Sequence, residues 1–216
     1  MSMLDRIVES GIVAAIRADS SERLIEVAAA LEAGGAKFIE VTMNTPNALK
    51  IVEALSEKMR GRVGVGVGTV LDPETARAAI LAGAEYIVTP TLNLKVIEMA
   101  KRYSKLIFPG AFTPTEILTA WEAGADMVKV FPASVLGPGY LKDIHGPLPH
   151  IRLMPVGGVS VENCGEFIRA GASAVTAASC IAPKKDIAEG NWEKISGLAR
   201  QMIANIQAAR KNKKTV

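Results

Sequence analysis

Lys129 stands in Met127-Val128-Lys129-Val130-Phe131-Pro132, one charge among five apolar residues. A run this short, with two valines and a phenylalanine, reads as a strand buried on both faces. Lysine is almost never fully buried without a partner or a task. Desolvation disfavours the ammonium form, so a lysine held there has a lowered pKa. A neutral amine attacks carbonyl carbon, which is the requirement for Schiff-base chemistry. A second charge interrupts a similar run at Glu40, in Phe38-Ile39-Glu40-Val41-Thr42. The plainer reading of the two is a structural ion pair, since such pairs also place charges inside proteins. A buried pair is weak evidence for stability and often no better than apolar packing. That comparison favours a chemical task.

The elements that must position these residues follow from a recurring phrase: Ala33-Gly34-Gly35-Ala36, Ala82-Gly83-Ala84, Ala123-Gly124-Ala125 and Ala170-Gly171-Ala172. Each copy follows a helix-like stretch and precedes an apolar run, where glycine can take the left-handed conformation past a helix end. The copies are separated by roughly twice the length of one strand-helix unit, so four copies imply eight units. The apolar runs predict strands over residues 12–16, 38–42, 63–67, 86–89, 106–108, 127–131, 152–156 and 174–177. Helix-start signals follow them. Asp19 stands three before Glu22, Thr45-Pro46 and Asp72-Pro73 each offer a cap followed by proline, and Ser160 opens a later helix. Thr113-Pro114-Thr115-Glu116 adds a capping box. After the sixth run, Gly137-Pro138-Gly139 predicts a helix delayed to about Tyr140. Residues 1–10 predict an extra amphipathic helix.

Strict alternation with right-handed crossovers gives either an open doubly wound sheet or a closed barrel. Eight units and a near-fourfold repeat favour the second: a single (β/α)8 TIM barrel over residues 1–216, with 211–216 a flexible basic tail. No Gly-rich dinucleotide turn follows the first run; Ile16-Arg17-Ala18-Asp19 stands there instead. In a barrel, functional residues lie at the carboxyl ends of the strands, and the sixth strand faces the second across the ring. Lys129 and Glu40 therefore both point into its mouth.

The remaining strand ends offer Arg17, Thr42, Asn44, Thr69, Thr89, Pro90, Phe131, Gly157, Gly158 and Ser179. Arg17 suits carboxylate binding through its planar fork; its plainer role is a rim salt bridge with Asp19. Gly66-Val67-Gly68-Thr69 either lets backbone approach a ligand or simply ends a strand and caps the next helix. Gly157-Gly158 and Ser179 fall after the seventh strand and at the end of the eighth, where barrels commonly bind phosphate. A tight turn explains two glycines equally well.

Composition narrows the classes. About half the residues are apolar and the net charge is only +3. The basic excess gathers in Arg210-Lys211-Asn212-Lys213-Lys214, with no interleaved aromatics, which argues against nucleic-acid binding. Cys164 and Cys180 lie outside any metal-ligand spacing and read as reduced, structural thiols of a cytoplasmic protein. With only His145 and His150, a histidine-based metal site is not expected. No run approaches a membrane-spanning length, and the first residues lack an apolar signal core.

Taken together, Glu40-Val41-Thr42, Gly68-Thr69-Val70-Leu71, Thr89-Pro90, the stretch from Pro109-Gly110-Ala111-Phe112 through Thr113-Pro114-Thr115-Glu116, Lys129-Val130-Phe131-Pro132-Ala133 and Pro155-Val156-Gly157-Gly158-Val159 resemble the 2-keto-3-deoxy-6-phosphogluconate (KDPG) aldolase family. That family includes 4-hydroxy-2-oxoglutarate (KHG) aldolases, and the resemblance runs over residues 7–202. It implies a class I, Schiff-base aldolase on a (β/α)8 barrel, homotrimeric and independent of metal or other cofactor, acting on a small-molecule 2-keto acid. By resemblance, Lys129 is the Schiff-base lysine, Glu40 the general acid/base, and Thr69 a hydroxyl that holds the pyruvyl carboxylate. Pro90 and Phe131 shape the pocket around the imine, while Gly157, Gly158 and Ser179 form the phosphate end. Asn44 stands where many members have arginine, Val156 replaces a common threonine, and Thr176-Ala177-Ala178-Ser179 replaces a more glycine-rich loop. Asn44 and Val156 resemble the branch acting on the galactonate-derived epimer. Two other classes stay open at this point: a phosphate-binding isomerase or epimerase with Glu40 as base, and a non-catalytic ligand-binding barrel.

Overall fold

The computed structural model describes residues 1–17 and 21–213. All eight apolar runs form strands: β1 (Ile12–Ile16), β2 (Phe38–Thr42), β3 (Gly64–Gly68), β4 (Tyr86–Val88), β5 (Leu106–Phe108), β6 (Gly110–Ala111), β7 (Val128–Val130), β8 (Leu153–Pro155) and β9 (Val175–Ala177). The third, sixth, seventh and eighth runs begin one residue later than expected. The ninth strand arises because the fifth run continues past Pro109, which has no N–H to give the ladder. Pairing is parallel throughout, in a six-stranded sheet of order β5-β4-β3-β2-β1-β9 and a three-stranded sheet of order β6-β7-β8. Only Pro109 separates β5 from β6. At the other seam, a single parallel bridge joins Val156 to Thr176.

Helices alternate with the strands: α1 (Met3–Ser10), α2 (Ser21–Ala33), α3 (Ala48–Lys58), α4 (Pro73–Leu81), α5 (Leu94–Arg102), α6 (Pro114–Glu122), α7 (Ala133–His145), α8 (Cys164–Arg169), α9 (Lys184–Glu189) and α10 (Trp192–Lys213). The caps at Asp72 and Thr113 form as read, the second as a full capping box with Glu116. Gly35, Gly83, Gly124 and Gly171, with φ of 97°, 100°, 98° and 112°, end α2, α4, α6 and α8. In each case the following alanine N–H donates to the carbonyl five residues back, as Ala36 does to Leu31 at 3.0 Å. This is the Schellman arrangement. In the first copy the left-handed residue is Gly35, not Gly34.

Two start signals resolve differently. Thr45 is buried in a turn, its N–H donating to the Thr42 carbonyl at 2.9 Å, and α3 begins after Asn47. Ser160 and Asn163 exchange side-chain hydrogen bonds through a turn, and α8 starts only at Cys164. After Lys129 a short helical turn begins at Ala133 and is broken at Gly137, where φ is 67° and ψ 179°; the second helical segment follows that break and runs to His145, close to the start expected near Tyr140. The Asp19–Glu22 signal lies outside the described residues. Of the expected flexible tail, residues 211–213 lie in the last turn of α10, and 214–216 lie outside the described residues.

Alternation along the strands divides the core in two. Ile39, Val41, Ile87, Val128, Val130, Val175 and their neighbours pack against the helices. The opposite faces bring Val13, Phe38, Tyr86, Val88, Phe108, Met127, Met154 and Ala174 into an inner cluster, which Ile7 of α1 joins. The period of two places Glu40 on the face of Phe38 and Lys129 on the face of Met127. The carboxyl ends of β2 and β7 are thus held by inner-cluster side chains below them.

Arg210 ties α10 to α1: its guanidinium donates to the carbonyls of Val8, Glu9 and Ser173, the last at 3.0 Å. Arg210→Ala is expected to cost about 2 kcal/mol, because charged hydrogen bonds to partly buried carbonyls are lost together. A urea-denaturation midpoint measures it.

Candidate active site

Strand β3 reads Gly64-Val65-Gly66-Val67-Gly68, and its glycines serve neighbours rather than a ligand. A Cβ on Gly64 would meet the Phe38 ring, one on Gly66 the Tyr86 ring, and one on Gly68 the Glu40 carboxylate. Glu40 from β2 therefore lies over a strand stripped of side chains to receive it. The residue that follows, Thr69, has φ 59°. For a β-branched residue that is a strained conformation, of order 1–3 kcal/mol, and such residues cluster at functional sites. Gly110 makes room in the same way for the backbone of Pro90.

One cavity of about 380 Å³ opens at this end of the strands. Lys129 and Glu40 both line it, 6% and 3% exposed. Arg17, Asn44, Thr69 and Pro90 line it as well, and so do Phe131, Val156, Gly157, Gly158 and Ser179. Every residue assigned from the sequence to catalysis or substrate binding thus reaches one space. Thr42 and Thr89 do not. The Thr42 hydroxyl lies 3.3 Å from that of Thr45, and the Thr89 hydroxyl accepts from the Gly110 N–H at 3.1 Å and donates to the Thr91 carbonyl.

No ion pair joins Lys129 to Glu40 among the described residues. Glu40 Oε2 is buried without a hydrogen-bond partner, which disfavours a purely structural pair. Burial dominates both groups. It lowers the Lys129 pKa although Glu40 pulls the other way, and Arg17 lowers it further. Burial raises the Glu40 pKa although Lys129 and Arg17 both oppose it. Each group is pushed towards its neutral form, as a nucleophilic amine and a carboxyl that both takes and returns protons require. The Phe131 ring lies 4.9 Å from Lys129 Nζ and covers it on one side.

Gly157 and Gly158, which also line the cavity, adopt φ of 89° and 73° in succession. A Cβ on Gly158 would meet Ser134 at the start of α7, within 2.6 Å of its Cβ. The turn thus brings backbone close to the α7 N-terminus. Five lining residues are not among those the sequence assigns to the site: Ala15, Val159, Thr176, Ala178 and Cys180, of which Thr176 and Ala178 figure there only as part of the loop leading to Ser179. Alternation from Arg17 would have found Ala15. Cys180, read as merely structural, touches the cavity; burial raises its thiol pKa, which keeps it a poor nucleophile.

Gly68→Ala is expected to displace the Glu40 carboxylate while leaving Lys129 untouched. Turnover should fall on the order of 10²-fold, the usual cost of misplacing a reacting group by about an ångström. Circular dichroism and steady-state rates check it; an unchanged rate would mean Glu40 needs no such seat.

A parallel α/β fold whose strand ends share a cavity between a buried lysine and a buried carboxylate is the architecture of an α/β enzyme. Comparison with known sequences gives the particular kind. The chain belongs to the KDPG and KHG aldolase family, whose sequence model matches residues 4–198. It is 33% identical over 205 residues to the 2-dehydro-3-deoxy-phosphogluconate aldolase of Pseudomonas aeruginosa, covering 94% of this chain and 93% of that one. It is 38% identical over 151 residues to the 2-dehydro-3-deoxy-6-phosphogalactonate aldolase of Escherichia coli, covering 69% and 73%. A crystal structure of KDPG aldolase from Legionella pneumophila, with pyruvate captured at low pH as a covalent carbinolamine intermediate, superposes with a TM-score of 0.87. That match covers 93% of this chain and 98% of that one at 26% identity.

Proposed function

We propose that this chain is a class I aldolase that reversibly cleaves a 2-keto-3-deoxy-6-phospho sugar acid to pyruvate and glyceraldehyde 3-phosphate. The observation that carries the reading is the shared cavity, in which a buried amine pushed towards neutrality accompanies a buried carboxyl pushed the same way. Lys129 Nζ attacks C2 of the keto acid, and loss of water gives a protonated imine. That cation draws the electron pair of the C3–C4 bond as Glu40 takes the proton from the C4 hydroxyl. Cleavage leaves the pyruvate enamine and the aldehyde. Glu40 then returns a proton to C3, and water hydrolyses the imine to release pyruvate and restore the amine. Arg17 and Thr69 hold the carboxylate, Asn44, Pro90, Phe131 and Val156 shape the walls, and Gly157, Gly158 and Ser179 take the phosphate.

Asn44 and Val156, with the 38% identity to a phosphogalactonate aldolase, favour the same chemistry on the galactonate-derived C4 epimer as the second reading. Pyruvate release measured over both phosphorylated epimers, their unphosphorylated forms and 4-hydroxy-2-oxoglutarate separates these. Release from none of them, with proton exchange on a sugar phosphate instead, would replace the aldolase by an isomerase.

The same proposal includes closure of the two sheets into one ring of eight strands in a single domain. It counts β5 and β6 as one strand broken at Pro109 and takes the Val156–Thr176 bridge as the second seam. It also includes a homotrimer. Leu71, Leu94, Phe112 and Val135 are 56%, 52%, 39% and 72% exposed, and all follow strand ends, an apolar rim suited to association. A cytoplasmic location fits the two free thiols, Cys164 and Cys180. Among the described residues, no helix is long and apolar enough to cross a membrane.

A further inference from the structure

The inner wall of the cavity carries one polar side chain that the mechanism above does not use. Thr176, on β9, is 4% exposed and lines the cavity, and its Oγ1 is buried with no hydrogen-bond partner in the fold. A buried hydroxyl left unpaired costs free energy that an isosteric valine would not, so its retention calls for a partner. Its neighbours offer none: it pairs with Val13 of β1 on one side and bridges to Val156 on the other.

The position of Thr176 says what that partner is. Counting along the pairings, β9 is two strands from β2, which carries Glu40, and two from β7, which carries Lys129. Along the strand, Thr176 pairs one inward position below Ala15, the residue level with Glu40, and three residues before Ser179. The hydroxyl thus lies on the wall between the strands that carry Glu40 and Lys129, one inward layer below Glu40 on the β1 side and beside Val156 on the other. We infer that Thr176 is a specificity-determining residue whose O–H donates to the C4 oxygen of the substrate. This rests on the aldolase reading. In a 2-keto-3-deoxy acid C3 bears no oxygen, so the C4 oxygen is the first a ligand anchored at Lys129 presents beyond the imine. Glu40 removes its proton during cleavage, and the Thr176 O–H supports the oxygen as negative charge develops there. In the condensation direction the same donor polarises the aldehyde carbonyl. No bond to Thr176 forms or breaks.

The test compares wild type, Thr176→Val and Thr176→Ser. It uses kcat/KM for the two C4-epimeric 2-keto-3-deoxy-6-phosphohexonates and the rate of borohydride trapping with pyruvate alone. Pyruvate has no C4, so trapping should be unchanged in all three. In Thr176→Val, kcat/KM for the preferred epimer should fall about tenfold or more, as for a lost donor to developing charge, and the ratio between epimers should shrink with it. Thr176→Ser, which keeps the hydroxyl, should recover most of that loss. Wild-type cleavage of both epimers by Thr176→Val would overturn the assignment while leaving the aldolase reading intact. Equal loss of trapping and cleavage would reduce Thr176 to a packing residue. Failure of wild type itself to trap pyruvate would remove both readings.

Discussion

Lys129→Arg is expected to abolish carbon–carbon cleavage, lowering turnover by on the order of 10⁴-fold or more, the scale seen when a covalent nucleophile is removed. Arginine keeps length and charge, but its guanidinium does not deprotonate in a protein and forms no imine with a keto acid. The contrast matters because burial already drives Lys129 towards its neutral form, against the attraction of Glu40. If Lys129 were an electrostatic partner for Glu40, arginine would preserve that role and much of the rate. Steady-state pyruvate release by the two proteins decides it. Cleavage persisting in the arginine variant at more than a few per cent would contradict a covalent mechanism.

Glu40→Gln should leave the fold intact, permit pyruvate to form its imine, and lower turnover by about 10²–10⁴-fold, the usual contribution of general acid–base catalysis. The carboxylate is wedged over Gly68 with Oε2 unpartnered, so the amide fits the same space. Stability should report the same residue. Burial raises the Glu40 pKa in the folded chain, so the folded state holds this proton to higher pH than the unfolded state does. Wild-type stability therefore loses ground as pH rises from the ordinary carboxylate range to the folded pKa, where the unfolded chain alone has ionised. Glu40→Gln removes that decline, and chemical denaturation across this pH window should show a flatter dependence. An identical dependence in the two proteins would mean that burial does not raise the Glu40 pKa.

Much of this site was legible because charge inside an apolar run is a local signal. Lys129 and Glu40 stand out within five or six residues, and period-two alternation says they face the same side as Met127 and Phe38. The Ala-Gly-Ala phrases and the Thr113–Glu116 box are equally local, since one backbone conformation demands one residue type. What escaped depends on neighbours distant in sequence. The Gly66 and Gly68 positions make sense only once Tyr86 and Glu40 lean across them from adjoining strands. Thr176 could be read only as part of the loop leading to Ser179; that its own hydroxyl is buried without a partner shows only in the fold. Gly137-Pro138-Gly139 does break the chain's path, at Gly137; what its sequence did not show is the short helical turn from Ala133 that precedes the break. Thr45-Pro46 misled for another reason: a good cap was used by the preceding strand end, through Thr42, before α3 could take it.

The amine itself gives the most direct measurement. Incubation of the wild-type protein with pyruvate and borohydride, followed by proteolysis and mass spectrometry, should find a reduced adduct on the peptide containing Lys129 and on no other lysine. Unmodified protein, or an adduct spread over surface lysines while Lys129 stays free, would contradict imine catalysis at this site.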